Sequence, residues 1–197
     1  MKRLILVGLT ALTVLFTSPS FSDDITDAKI AILNEDYATA FRLLTPLAEQ
    51  GHSYSLNVIA YMYDEGWGVP QNHDMAMKWY KFGADRGDAS SQYNLGIKYG
   101  SGRGVQKDNK AEFEWYKLAA EQGLAIAQYS LGLKYESASG VLQDYIKAHM
   151  WHNIAASRGD THSITRLNSL AKKMTPKQIE LAQKLARECV KKAFKNC

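Results

Sequence analysis

Cysteine is scarce in this chain of 197 residues: there are two, Cys189 and Cys197, both within the last nine positions. No disulfide can therefore hold the body of the fold, and no metal-ligand spacing accompanies either thiol. Long apolar runs are absent beyond the first 22 residues, so no later segment is expected to cross a membrane. Charge of one sign is also missing from the body. The formal net charge is +4, but residues 23–171 hold 14 basic and 18 acidic side chains, a net of −4, while residues 172–195 hold 8 and 2, a net of +6. A nucleic-acid surface would want a basic face running along the body, so nucleic acid is not the expected partner. No Ser-His-Asp order, acid pair or reactive-cysteine setting can be argued from spacing. The glycine-rich loops GWGV, GRGV and SGV lack a Gly-Lys-Ser/Thr ending and follow no strand, which makes them turns rather than phosphate cradles. No cofactor and no metal are expected.

The N-terminal segment reads as a leader. Lys2-Arg3 precede an apolar run from Leu4 to Phe16 and then TSPSFS, with small residues at Ser20 and Ser22. Thirteen residues with two internal threonines and a glycine are too short to span a bilayer comfortably. A signal peptide over 1–22, cleaved after Ser22, is expected, and with it a periplasmic or secreted location.

What fills the rest is repetition. Glycines fall at 51, 87, 123 and 159, tyrosines at 63, 99 and 135, and tryptophans at 79, 115 and 151, each series stepping by 36. Gly68-Val69 returns as Gly104-Val105 and Gly140-Val141, and Ala84 as Ala120 and Ala156. A unit of this length cannot bury its own apolar face, so units stack and share a core.

Within the unit 88–123, Leu95 and Tyr99 lie four apart on one helical face beside the small Gly96. The helix stops at SGRGV. Asp108-Asn109 can cap a second helix carrying Phe113, Trp115, Leu118 and Ala119-Ala120, which ends at Gly123. The expectation is an all-α chain of αα-hairpins: a shortened first pair in 23–51, with helices over Ile25–Leu33 and Asp36–Gln50, then units at 52–87, 88–123 and 124–159. Capping helices fill 160–197. There Leu167 continues the column of Ile59, Leu95 and Leu131, Thr175-Pro176 opens the last helix, and Ile179, Ala182, Leu185, Ala186, Cys189 and Val190 form its apolar stripe.

Eight residues of continuous helix would hold the cysteine Cα atoms ~12 Å apart, beyond disulfide reach. Cys189 and Cys197 can pair only if the chain bends back after about Phe194. A tail clamp, a bond to a second molecule and two free thiols all remain open.

The strings AEQG, QYNLGIKY, GSGRGV, KDNKAEFEWY and KLAAEQG resemble the Sel-one-like repeat, a relative of the tetratricopeptide repeat, and LQDYIKAHMWHNIAA is similar to its common variant. The resemblance covers roughly residues 27–197. It implies a right-handed α-solenoid of helix pairs acting as a non-catalytic interaction scaffold, in secreted bacterial members often for exported or envelope proteins. Some cysteine-rich secreted relatives bind or slowly hydrolyse β-lactams, but they carry a cysteine pair in each repeat, and this chain has none there. A hydrolase of that kind, and envelope attachment through the basic segment Lys172 to Lys195, are the alternatives.

On each first helix, positions 56, 59, 60 and 63 cluster as core and positions 54, 57 and 61 cluster opposite. The second cluster is not polar: Tyr54, Asn57 and Tyr61, then Ser90, Tyr93 and Ile97, then Ile126, Tyr129 and Leu133. In tetratricopeptide-like stacks this face lines the inner groove, which predicts a peptide-binding floor of aromatic and aliphatic side chains. Tyr54 and Tyr61 read as groove, whereas Tyr93 and Tyr129 read as packing on the neighbouring first helix. His149 and His152 stand three apart on a helix and could share a metal, but they occupy the columns of Phe113 and Tyr116 and read as core, with no acidic or cysteine partner placed to complete a site. The carboxylates read as caps and solvated faces. Trp67 is either a plug over the core or an exposed contact.

Overall fold

The computed structural model describes residues 21–197; the apolar run of the expected leader lies outside the described residues, and the expected cleavage point after Ser22 falls in the first turn of the first helix. All ten elements described are helices. The helices α1 (Phe21–Leu33) and α2 (Tyr37–Glu49) form the short first pair. Three like hairpins follow: α3 (Ser53–Glu65) with α4 (His73–Asp85), α5 (Ala89–Ser101) with α6 (Asn109–Glu121), and α7 (Ala125–Ser137) with α8 (Tyr145–Ser157). The chain closes with α9 (Thr161–Ala171) and α10 (Pro176–Lys191). Each helix packs on the next from α1 to α9, and α3 also touches α5, so the first helices of successive pairs share one layer.

One column of capping residues sets where the second helices begin. Asp36, Asn72, Asp108 and Asp144 each accept a hydrogen bond from a backbone N–H of the first turn, at 3.0–3.1 Å in every case. The loop before each of the last three caps is set by a glycine. A Cβ on Gly68 or Gly104 would stand 2.7 Å from the carbonyl of Tyr37 or His73, and one on Gly140 would strike that of Asn109. Those three residues open α2, α4 and α6. Each loop thus seats on the start of the preceding second helix, a close approach only glycine permits.

Inside a hairpin, a ring from the second helix sits on a small residue of the first. A Cβ on Gly96 would lie 2.5 Å from ring carbons of Tyr116, and one on Gly132 would lie 2.7 Å from Cε1 of His152. What seats on Gly96 is thus an aromatic side chain, with the Glu112 carbonyl farther off at 3.3 Å. Tyr80, Tyr116 and His152 form one buried column, facing the buried Leu56, Ile59 and Leu95 type of core position. Leu118, expected to belong with the apolar residues of its helix, is exposed.

The end of the chain departs from the repeat. Asp160 caps α9 as Asp88 caps α5, and Ser163 is fully buried like Ser55 and Ser91 in its column. Leu167 is only half-buried, however, and the deep position passes to Leu170. Thr175 and Gln178 close a capping box with Pro176 at the first helical position. α10 then lies against α8, burying Ala182, Ala186 and Cys189, while Val190 stays at the exposed edge. After Lys191 the backbone turns back through positive φ at Ala193, Phe194 and Asn196. Cys189 and Cys197 then stand 5.4 Å apart at Cα and are joined by a disulfide, the tail clamp among the three alternatives. The clamp presses Phe194 toward Gly123, with the Arg158 guanidinium 5.3 Å above its ring.

Gly66 and Gly102 end α3 and α5 in the left-handed region, whereas α7 ends on Ala138 at φ 56°. A Cβ there costs roughly 1–2 kcal/mol, only partly offset by the greater chain entropy of glycine. Ala138→Gly is expected to stabilise the fold by about 0.5–1 kcal/mol, read as a raised midpoint in urea with an unchanged slope.

Candidate binding groove

The face opposite the core of α3 opens into a cavity of about 360 Å³. Tyr54, Asn57 and Tyr61 line it, as does Trp67 from the loop after α3; Tyr37 closes one side, and Tyr80 and Asn94 reach its floor from α4 and α5. Trp67 covers neighbouring rings and keeps part of its own surface exposed. Its ring stacks on Tyr37 at 4.7 Å and meets Tyr61 edge-on at 5.1 Å, yet it is 37% exposed and Tyr61 43%. Lys29 of α1 sits 5.0 Å above the Tyr54 ring, and burial pushes the Tyr54 phenol up. Neutral aromatic walls around a small polar floor suit an uncharged side chain.

Asn57 braces this wall rather than offering free donors. Its amide donates to Asp88 at 2.8 Å and to the Ser53 carbonyl at 2.9 Å, and its oxygen accepts from Asn94 at 3.1 Å. Along α5 and α7 the face continues differently. Tyr93 stacks on Tyr116 at 5.2 Å, and Tyr129 tilts against His152 at 5.5 Å, so both serve packing, while Ile97 and Ile126 stay exposed and Leu133 is half-buried.

Beneath the floor lies what the sequence reading missed. The carboxylates do not all cap or face water: Asp64 and Lys98 are each 3% exposed and form an ion pair, completed by His73 at 2.9 Å from Asp64 and by Arg103. Burial pushes the Asp64 carboxyl up, but the hydrogen bond and charge of Lys98, helped by His73 and Arg103, outweigh it and hold the group below its usual range. One interface on, Glu112 pairs with Lys134 at 2.5 Å, using the space left where Gly100 replaces Asp64 in its column. The signal was available: Lys98 and Lys134 stand one period apart at a helix position that Met62 and Leu170 show to be buried. Burial raises the phenols of Tyr80 and Tyr116, which lie under these same ammonium groups.

At the third interface the lysine column is Leu170. Glu136 there faces Arg166 at 3.8 Å, Lys173 at 4.0 Å and the Nε2 of His152 at 3.9 Å. Glu136 thus faces His152, at a distance beyond a hydrogen bond. His152 is nonetheless part of the core, and His149 bonds to Asn153 at 2.9 Å. Among the described residues no group of three or more His, Cys, Asp or Glu is placed to hold a metal, and no helix is long and apolar enough to cross a membrane.

The Sel1 repeat model matches residues 32–52, 53–88, 89–124 and 125–160, two thirds of the sequence at the same 36-residue period. No curated protein sequence matches the chain. Among solved structures, a Sel1 repeat protein from Oxalobacter formigenes is 32% identical with a TM-score of 0.68, covering 73% of this chain and 58% of its own. A protective antigen with an SLR fold from uropathogenic Escherichia coli is 27% identical with a TM-score of 0.53, covering 89% of this chain and 47% of its own. The chain thus spans about half the length of these two. The Helicobacter pylori cysteine rich protein B, 21% identical over 72% of this chain and 95% of its own at a TM-score of 0.50, shares the fold.

Burial lowers the pKa of His152 to about 4, so the folded chain binds a proton there only well below the pH at which the unfolded chain does. Stability is expected to fall as pH drops from about 6.5 to about 4, by about 3 kcal/mol from this group. His152→Phe should reduce the fall of the melting temperature over that interval, leaving the part due to His149, whose pKa burial also lowers, and the loss at lower pH, where Asp64 protonates.

Proposed function

Because the chain belongs to the Sel1 repeat family, we propose that it is a non-catalytic scaffold that holds an extended segment of a protein partner against the shared face of its first helices. The observation that carries this reading is the aromatic cavity of Tyr37, Tyr54, Tyr61 and Trp67. Tyr37 and Tyr54 pack on the core behind it, Tyr61 and Trp67 keep ring surface exposed, and Ile97 and Ile126 continue that surface as apolar. Tyrosine and tryptophan give large contact area at little rotamer cost, which is why they dominate recognition surfaces. The ionisable groups that lie together, Asp64 with Lys98 and Glu112 with Lys134, pair with one another under the floor.

The partner is an exported or envelope protein in this reading, and the chain acts in the periplasm or outside the cell. Two features support that: the leader-like segment Lys2 to Ser22 and the Cys189–Cys197 bond, a pairing that persists in oxidising compartments. No observation favours the hydrolase or the attachment reading over this one.

Tyr61→Ala is expected to weaken partner binding at least tenfold while changing the melting temperature little, because the side chain is half free of the core. Gly96→Leu is expected to cost about 3 kcal/mol or more of stability, since any added atom meets the Tyr116 ring. Thermal melts of both variants and a titration of Tyr61→Ala against its partner test this. Equal loss of stability in the two would assign Tyr61 to the core and remove the groove.

A further inference from the structure

The floor of the groove is built from four columns that start at Tyr54, Asn57, Val58 and Tyr61 and step by 36 residues. None carries a charged side chain on α3, α5 or α7. On α9 the first column reaches His162, 6.0 Å from Tyr129, and the third reaches Arg166. The columns themselves therefore stay uncharged until Arg166, whose cation stands at the opposite end of the groove from Lys29, the exposed lysine over the Tyr54 ring.

That cation is not consumed by the fold. At the first two interfaces a lysine lies in close contact with the carboxylate, the buried Lys98 on Asp64 and the half-buried Lys134 on Glu112. At the third, Leu170 replaces the lysine, and Glu136 is left with Arg166 and Lys173 at 3.8 and 4.0 Å, beyond hydrogen-bonding contact. The buried Oε2 of Glu136 has no hydrogen-bond partner at all. Two cations, 44% and 48% exposed at their side chains, thus stand against one carboxylate at the end of the groove away from the Tyr61–Trp67 cavity. Burial holds the neighbouring His152 neutral, so it does not alter that balance.

Resting on the groove reading above, we infer that the partner segment carries a carboxylate at one end, held by Arg166 and Lys173, and an uncharged aromatic or aliphatic side chain in the Tyr61–Trp67 cavity at the other. The guanidinium of Arg166 offers a planar fork that matches a carboxylate, and Lys173 adds a point charge beside it. Three helix-to-helix steps of ~8–10 Å separate α3 from α9, which an extended chain at ~3.3 Å per residue spans in about eight or nine residues. An acidic side chain and a C-terminal carboxylate present the same chemistry.

The test is selection of 12-residue peptides from a displayed random library on the full chain, followed by resynthesis with free and with amidated C-termini and titration by fluorescence anisotropy. Selected peptides should share an apolar or aromatic residue eight or nine positions from a carboxylate. Replacing that carboxylate by its amide, or Arg166→Gln in the protein, should each weaken binding at least tenfold. Dependence on the free C-terminus would assign the terminal carboxylate, and indifference to it an acidic side chain. Glu136→Gln should tighten binding severalfold by removing the competing charge, an effect that a merely structural Arg166 would not give. If Tyr61→Ala weakens binding but Arg166→Gln and amidation do not, or if the selected peptides are basic, the carboxylate inference fails and the groove stands. If the selected peptides ignore Tyr61→Ala, or nothing is selected, the groove reading fails with it.

Discussion

The stack depends on a ring set against a helix that has no side chain in the way. Tyr116 on Gly96 and His152 on Gly132 bring the two helices of a hairpin closer than larger residues would allow, and Tyr80 occupies the same column one unit earlier. That contact fixes how each first helix is rolled about its axis. The roll in turn decides which four columns look away from the core. The aromatic cavity, the neutral floor and the cationic end are all consequences of it, because a different roll would turn Leu56, Ile59 and Leu95 outward and bury Tyr61.

Charge is managed along the same direction. Burying an ion pair gives little net stability, since desolvation of both partners offsets their attraction, so Asp64–Lys98 and Glu112–Lys134 are better understood as register marks between neighbouring first helices. Each ties a helix to the next at one defined height, and each removes a charge from the wall above. The third interface lacks its lysine. Its carboxylate is left to two partly exposed cations, and that end of the wall is cationic.

Much of this was legible in the sequence because a 36-residue period turns single residues into columns. The caps Asp36, Asn72, Asp108 and Asp144, the hairpin pairing, and the outward placement of Tyr54 and Tyr61 all follow from helical geometry applied once and repeated. The buried ion pairs were not, because a helical wheel sorts residues by type, and a lysine on a buried column is read as solvated until its partner is found 34 residues away. The substitution of Glu112 for the missing carboxylate at Gly100 was further out of reach, since it comes from another helix. The end of the chain resisted for a related reason. Once the repeat lapses after Gly159, nothing periodic says that α10 will lie on α8, or that Leu170 rather than Leu167 will fill the core. The disulfide was restricted to one geometry by arithmetic on helix rise, but only the backbone turn at Ala193–Phe194 selects it from the alternatives.

The central claim is that recognition takes place on the first-helix wall. The most direct measurement places a photo-crosslinking amino acid at position 61, 97 or 133 on that wall, and at 118 or 142, exposed sites on a second helix and a loop. With a bound peptide or partner, the account predicts adducts from 61, 97 and 133 that map to successive residues of one extended segment, and none from 118 or 142. Adducts from 118 and 142 with a silent wall would contradict it.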